Sequence, residues 1–359
     1  MKNRILSLLC VLLAFSSAAM AQEAVTPAPQ LVSPEVSGSN VTFRFYGEYM
    51  TEVLLDGSWL SHPLPMKKNH GVWELTVSGV PADICSYTFL ADGIRTTDPS
   101  NPLMMKDGLE AYSMLVTDVS KPGNYRRNTG HGSVDYVWYD SKIMGGKRRM
   151  AVYTPYGYDV NKTKQYPVLY LLHGENGNEE SWMSMGRVTA SLDNLIGEGR
   201  AVPMIVVMPD CGPDIEGRDT FGTSLISEII PFVESRYRAI RTKAGRAIAG
   251  NSYGGTQVVN LVRLHPELFD FVCPLSFILE DDGKLRDDFL RVKKAKVTLL
   301  WMGCGTADTL SDGCCDHLHE ILNDIHLLHT YYQNVGGHDW SSWRFYINNF
   351  LPMIFRYYQ

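Results

Sequence analysis

The sequence predicts a doubly wound α/β sheet preceded by a small all-β sandwich, and three observations carry that prediction. Beyond residue 148, nearly unbroken apolar runs alternate with amphipathic segments, as strands and helices do in a mostly parallel sheet. Before residue 118, short half-apolar runs are separated by turn signals at the spacing of a β-sandwich. Between a buried run and a helical pattern lies Gly250-Asn251-Ser252-Tyr253-Gly254, a match to G-x-S-x-G.

The chain begins with a targeting pattern. Lys2 and Arg4 precede the apolar run Ile5 to Phe15, and Ala19-Met20-Ala21 fits a cleavage site. Residues 1–21 therefore read as a signal peptide. The apolar run is too short to span a bilayer, and Cys10 is misplaced for a lipid anchor, so the expected product is exported, to the periplasm or the medium. Roughly 340 residues would remain, more than one core usually serves, so two domains are expected. A net charge of −6 without a basic stripe argues against a nucleic-acid partner, and no membrane partner is expected. The six cysteines beyond residue 21 show no C-x-x-C pair, and no His/Cys/Asp cluster has metal spacing. Neither metal nor cofactor is expected.

Residues 24–118 carry three strand-like runs, Val41 to Tyr46, Val72 to Val77 and Tyr87 to Leu90. Asp56-Gly57, Asn69-His70-Gly71 and Asp92-Gly93 mark turns between them, and the pattern suggests an immunoglobulin-like sandwich. Trp73 and Tyr87 are read as core, and Trp59, beside a turn, as core or as a sugar-stacking face. Residues 119–136, rich in Pro, Gly and polar side chains, read as a linker in which His131 is structural. Residues 137–359 form the second domain. Its strands are expected at Arg148 to Pro155, Tyr166 to His173, Met204 to Met208, a strand ending in Ala247-Ile248-Ala249, Phe271 to Leu275, Val297 to Met302 and His329 to Val335.

Ligand sites in such sheets lie at the carboxyl ends of strands, and each remaining motif falls at one. In the strand–turn–helix setting Ser252 is a candidate nucleophile on a strained elbow, with the Tyr253 N–H as one oxyanion donor. His173-Gly174-Glu175-Asn176-Gly177 can supply the other donor, Glu175 or Asn176. A serine hydroxyl needs a base, and His338 in Gly336-Gly337-His338 follows the last strand. Asp308, after a strand and a glycine turn, is the preferred acid, with Asp281, Asp282, Asp312 and Asp316 as rivals. The order Ser, Asp, His is that of α/β-hydrolases. Trp182, Trp340 and Trp343 join Trp59 as candidate substrate-binding residues, with core packing the alternative for each.

These residues also carry a resemblance. Val152-Tyr153-Thr154-Pro155, Tyr166 to Gly174, Gly250 to Gly255, Cys304-Gly305 with Asp308, and Gly336 to Trp340 resemble the esterase D-like hydrolases, among them the feruloyl and acetylxylan esterases of carbohydrate esterase family 1. Ser33-Pro34-Glu35-Val36, Gly57-Ser58-Trp59, Gly71-Val72-Trp73 and Asp98-Pro99 resemble the sandwich attached to many bacterial esterases, itself similar to carbohydrate-binding module family 48. The chain departs from that family at Asn251 and Tyr253, which flank the serine, and in an oxyanion loop poorer in glycine. The resemblance implies a secreted serine esterase that removes feruloyl or acetyl groups from xylan. The alternatives are a catecholate-siderophore esterase or a non-catalytic glycan-binding protein.

Overall fold

The computed structural model describes residues 29–117, 130–212, 220–279 and 283–358. The expected signal peptide and most of the expected linker lie outside them.

Residues 35–116 form strands in two sheets. β1 (Glu35–Ser37), β2 (Asn40–Tyr46), β5 (Lys67–Asn69) and β6 (Val72–Val77) make one, in the order β1-β2-β6-β5. β3 (Val53–Gly57), β4 (Leu64–Pro65), β7 (Ile84–Ala91), β9 (Met104–Asp107) and β10 (Glu110–Val116) make the other, in the order β4-β3-β7-β10-β9, with β8 (Ile94–Thr96) on β7. The alternation of β2 sends Val41, Phe43 and Phe45 inward. There Phe43 meets Tyr87 edge-on at 4.9 Å and Phe45 meets Phe89 at 5.2 Å, so the two sheets share one core. Trp73 and Tyr87 lie in this core.

A third sheet has eight strands. They are β11 (Ser133–Asp140), β12 (Lys147–Thr154), β13 (Val168–Leu172), β14 (Ile205–Pro209), β15 (Arg246–Asn251), β16 (Phe271–Leu275), β17 (Leu299–Gly305) and β18 (Thr330–Asn334). Their order is β11-β12-β14-β13-β15-β16-β17-β18, antiparallel at the β11 edge and parallel from β14 onward. The linker expectation needs correcting here. Residues 133–136 are strand, because Ser133 to Asp140 pair along their whole length with β12. Just before them, His131 Nδ1 and the Gly132 N–H bind the Asp193 carboxylate, so His131 is structural.

Alternate side chains of the central strands enter two cores, the signature of a sheet covered on both faces. Tyr170 and Leu172 pack on one side with the helix Tyr253–Leu264. Leu169 and Leu171 pack on the other with the helices Val188–Gly197 and Trp340–Phe350. Among the described residues no helix is long and apolar enough to cross a membrane.

The β-rich residues and the eight-stranded sheet are joined through buried polar contacts. Arg344, 5% exposed, donates to the carbonyls of Met185 and Ile84 and faces the Asp83 carboxylate at 3.4 Å. Removing this guanidinium takes a donor from two carbonyls and a counter-charge from a carboxylate in a poorly solvated place. Arg344→Met is expected to lower unfolding free energy by about 3 kcal/mol in urea denaturation of the whole chain.

Candidate active site

Four loops leave the carboxyl ends of β13, β15, β17 and β18 and converge. The first element is the turn at Ser252. Its backbone sits at φ 53°, ψ −123°, a region that costs a non-glycine residue about 1–3 kcal/mol and persists only where surroundings impose it. Those surroundings are backbone. The Ser252 N–H donates to Leu275 O at 2.9 Å, and Thr256 N–H returns to Ser252 O at 3.0 Å. A Cβ on Gly254 would stand 2.5 Å from His173 O, so only glycine lets the helix start this close to β13. Tyr253 then opens the helix, where the N–H groups carry the positive end of the helix dipole.

His338 and Asp308 complete a hydrogen-bonded line. Ser252 Oγ lies 2.8 Å from His338 Nε2, and His338 Nδ1 lies 3.0 and 3.1 Å from the two Asp308 oxygens. With an ionised carboxylate at Nδ1, that nitrogen carries the proton and Nε2 is left to accept from the serine. The two loops are stitched together, since Thr306 N–H donates to Asn334 O and Ala307 N–H to Gly336 O. Asp308 also accepts from the Ser311 N–H at 3.1 Å. Burial pushes its pKa up, but the His338 hydrogen bond and its other donors outweigh burial and hold the carboxyl at about 2. Asp339 is otherwise engaged: it caps the helix Trp340–Phe350 by accepting from Ser342 N–H and also accepts from Gly337 N–H.

The loop after β13 passes over Ser252. His173 is buried; its Nδ1 donates to Gly174 O at 2.7 Å and its Nε2 accepts from Cys211 N–H at 3.0 Å, which fixes the loop's first turn. Glu175 lines a pocket of about 460 Å3 with Ser252, Tyr253, Thr256, Asn260 and Arg263. Asn176 instead turns its carbonyl toward Gly108, in the turn between β9 and β10. A Cβ at Gly108 would overlap that oxygen. Next to it, Asp107 accepts from Ser181 Oγ–H at 2.8 Å, and Ser181 Oγ accepts from the Asn178 N–H. The β9–β10 turn thus braces the far end of the same loop, a contact the sequence reading missed although Asp107-Gly108 is itself a turn signal.

The tryptophans divide. Trp340, Trp343 and Trp59 line a cleft of about 870 Å3 that His338 also borders. Trp182 does not reach it. At 1% exposure, with Nε1 donating to Leu172 O at 2.8 Å, it is a core residue, which corrects its assignment to substrate binding. Of the two residues that flank the serine, Asn251 is buried and Tyr253 lines the pocket beside Ser252. Among the described residues no group of three or more His, Cys, Asp or Glu is arranged to hold a metal ion.

Sheet order and site together define a chain of the α/β-hydrolase kind, and comparison with known proteins narrows it. Residues 141–310 match the family model described as "Putative esterase". The endo-1,4-beta-xylanase/feruloyl esterase of Xylanibacter ruminicola is 34% identical over 257 residues, covering 67% of this chain and 34% of that protein. The chain thus spans about a third of that relative's length. A CE1 ferulic acid esterase from Anaeromyces mucronatus is 26% identical with a TM-score of 0.58, covering 66% of this chain and 95% of that one. The enterobactin esterase of Shigella flexneri, at 21% identity and a TM-score of 0.69, shares the fold over 88% of this chain and 92% of its own. The chain thus matches an esterase family model over residues 141–310 and resembles the CE1 feruloyl esterases.

Three outcomes are expected. Asp308→Asn should lower kcat about 10^4-fold in steady-state assays with the fold intact. Because the folded carboxyl is held below the ordinary 3.8, it stabilises the fold above about pH 4 and loses that contribution as pH falls through about 2. The variant's denaturation midpoint should therefore fall less steeply than the wild type's across that window. Gly108→Ala, which displaces the Asn176 carbonyl, should lower kcat by about 10- to 100-fold with KM little changed.

Proposed function

We propose that the chain is an exported serine esterase that hydrolyses feruloyl or acetyl esters on xylan, with residues 24–118 as an immunoglobulin-like domain and residues 1–21 as its export signal. The observation that carries this reading is the Ser252–His338–Asp308 line, with 2.8 and 3.0 Å contacts, beneath a strained serine. The named activity of the Xylanibacter ruminicola relative supports the substrate class.

In this mechanism Ser252 Oγ attacks the ester carbonyl carbon as His338 Nε2 takes its proton. The tetrahedral oxyanion forms against the Tyr253 N–H and an N–H of the Gly174–Asn176 loop, donors each worth about 100- to 1000-fold in rate. His338 then protonates the leaving alcohol oxygen and the C–O bond breaks, leaving an acyl-enzyme. Water, giving its proton to His338, attacks that acyl carbon and releases the acid and Ser252. Asp308 stays ionised throughout and stabilises the imidazolium. No cofactor enters.

The reading is tested with methyl ferulate and p-nitrophenyl acetate. Hydrolysis of both, lowered about 10^6-fold in Ser252→Ala, is the expected result. Acetate cleavage alone moves the substrate toward acetylated glycans. Preference for a catecholate trilactone favours a siderophore esterase, and xylan binding without covalent trapping of Ser252 favours a glycan-binding protein.

A further inference from the structure

Two cavities meet the hydrogen-bonded line, and they meet different members of it. The pocket of about 460 Å3 is lined by Ser252 and by both oxyanion-side residues, Tyr253 and Glu175, but not by His338. The cleft of about 870 Å3 is lined by His338 but not by Ser252. The chemistry assigns a half of the ester to each. The acyl carbon bonds to Ser252 Oγ and its oxygen faces the oxyanion donors, so the acyl group occupies the smaller pocket. The departing alcohol oxygen receives its proton from His338 Nε2, so the alcohol leaves on the side that His338 borders.

Most of that larger cleft is built from the β-rich residues. Asp56, Trp59, Arg95, Glu110 and Tyr112 lie on its wall, opposite Trp340. Arg95 Nη1 donates to Asp56 and to Thr88 Oγ1, both at 2.7 Å, which fixes the guanidinium on the wall while much of it stays exposed. Glu110 is exposed. Trp340 Nε1 donates to Asp107 at 2.7 Å and so pins the floor where the two halves meet. Fixed charged hydrogen-bonding groups interleaved with half-buried aromatic faces suit a ligand with many hydroxyls and apolar C–H faces. A hydrocarbon alcohol would displace water from the exposed Glu110 and Arg95 without replacing its hydrogen bonds.

We propose that this cleft is the alcohol subsite, and that it takes the carbohydrate chain bearing the ester between the β-rich residues and the helix Trp340–Phe350. The β-rich residues are then one wall of the active site and not a separate binding module. The assignment rests on the esterase reading above, since it uses His338 as the acid that frees the alcohol.

Two arms separate the inference from that reading. In the binding arm, full-length Ser252→Ala is titrated with an unesterified arabinoxylo-oligosaccharide by calorimetry. Binding is expected, and it should weaken at least tenfold when Arg95→Ala and Glu110→Ala are added. No binding, or binding unchanged by the two substitutions, overturns the proposal. In the kinetic arm, kcat/KM is measured for a feruloylated arabinoxylo-oligosaccharide and for methyl ferulate. The ratio of the two should fall at least tenfold in Arg95→Ala/Glu110→Ala. An equal loss on both esters, the mark of a structural defect, overturns it. Inactivity of the wild type on every ester overturns the esterase reading, while the binding arm still reports on the cleft.

Discussion

The site depends on one backbone constraint, the positive φ imposed on Ser252 where β15 gives way to a helix. A serine left to itself would not adopt that conformation. It is held by the hydrogen bond from Ser252 N–H to Leu275 O and by the close approach of Gly254 to the β13 end. Both contacts come from neighbouring parallel strands, so the strain is supported by the middle of the sheet, where buried ladders on either side resist relaxation. The consequence is positional. Oγ stands clear of the sheet edge, within 2.8 Å of His338.

The other members are placed by the same device, a short loop leaving the carboxyl end of a parallel strand. Two nearby carboxylates show how the loops separate roles that residue type alone does not. Asp339 adjoins His338 in sequence, yet its oxygens accept the Ser342 and Gly337 N–H groups and hold the start of the last helix. Asp308 is distant in sequence, but the backbone bonds between its loop and residues 334–336 bring it to Nδ1. One acid aims the loop that carries the imidazole and the other sets its proton. Exchanging them would require the helix to lose its cap.

Much of this was legible in the sequence. The central parallel strands are apolar runs buried on both faces, and Ser252, Asp308 and His338 each follow a strand and a glycine, so their convergence could be read from position. What was illegible depends on contacts far apart in the chain. Ser133 to Tyr136 are mixed in character and are strand only because β12 pairs with them. The short strands β1, β4, β5 and β9 are two to four residues each, too brief for a period to register. Trp182 shows the same limit from the other side. An indole beside a predicted loop looks available, and only its bond to Leu172 O reveals that it is spent on the core.

The contact between the β9–β10 turn and the loop over Ser252 changes what the β-rich residues are for. A module that merely tethers an enzyme to its substrate needs a linker and an independent surface. Here Gly108 abuts Asn176, Asp107 bonds both Ser181 and Trp340, and Arg344 ties β7 to the final helix. Each of these residues lies within a few positions of a group at the site. The loop that covers Ser252 is therefore braced at its start by His173 and at its far end by a hairpin from the other sheet system. Detaching those strands would remove a support of that loop and a wall of the cleft together. The separation into two folding units that the sequence suggests holds for the main cores, while a smaller cluster of Ile84, Met105, Met114 and Met185 and the cleft beside His338 draw on both parts.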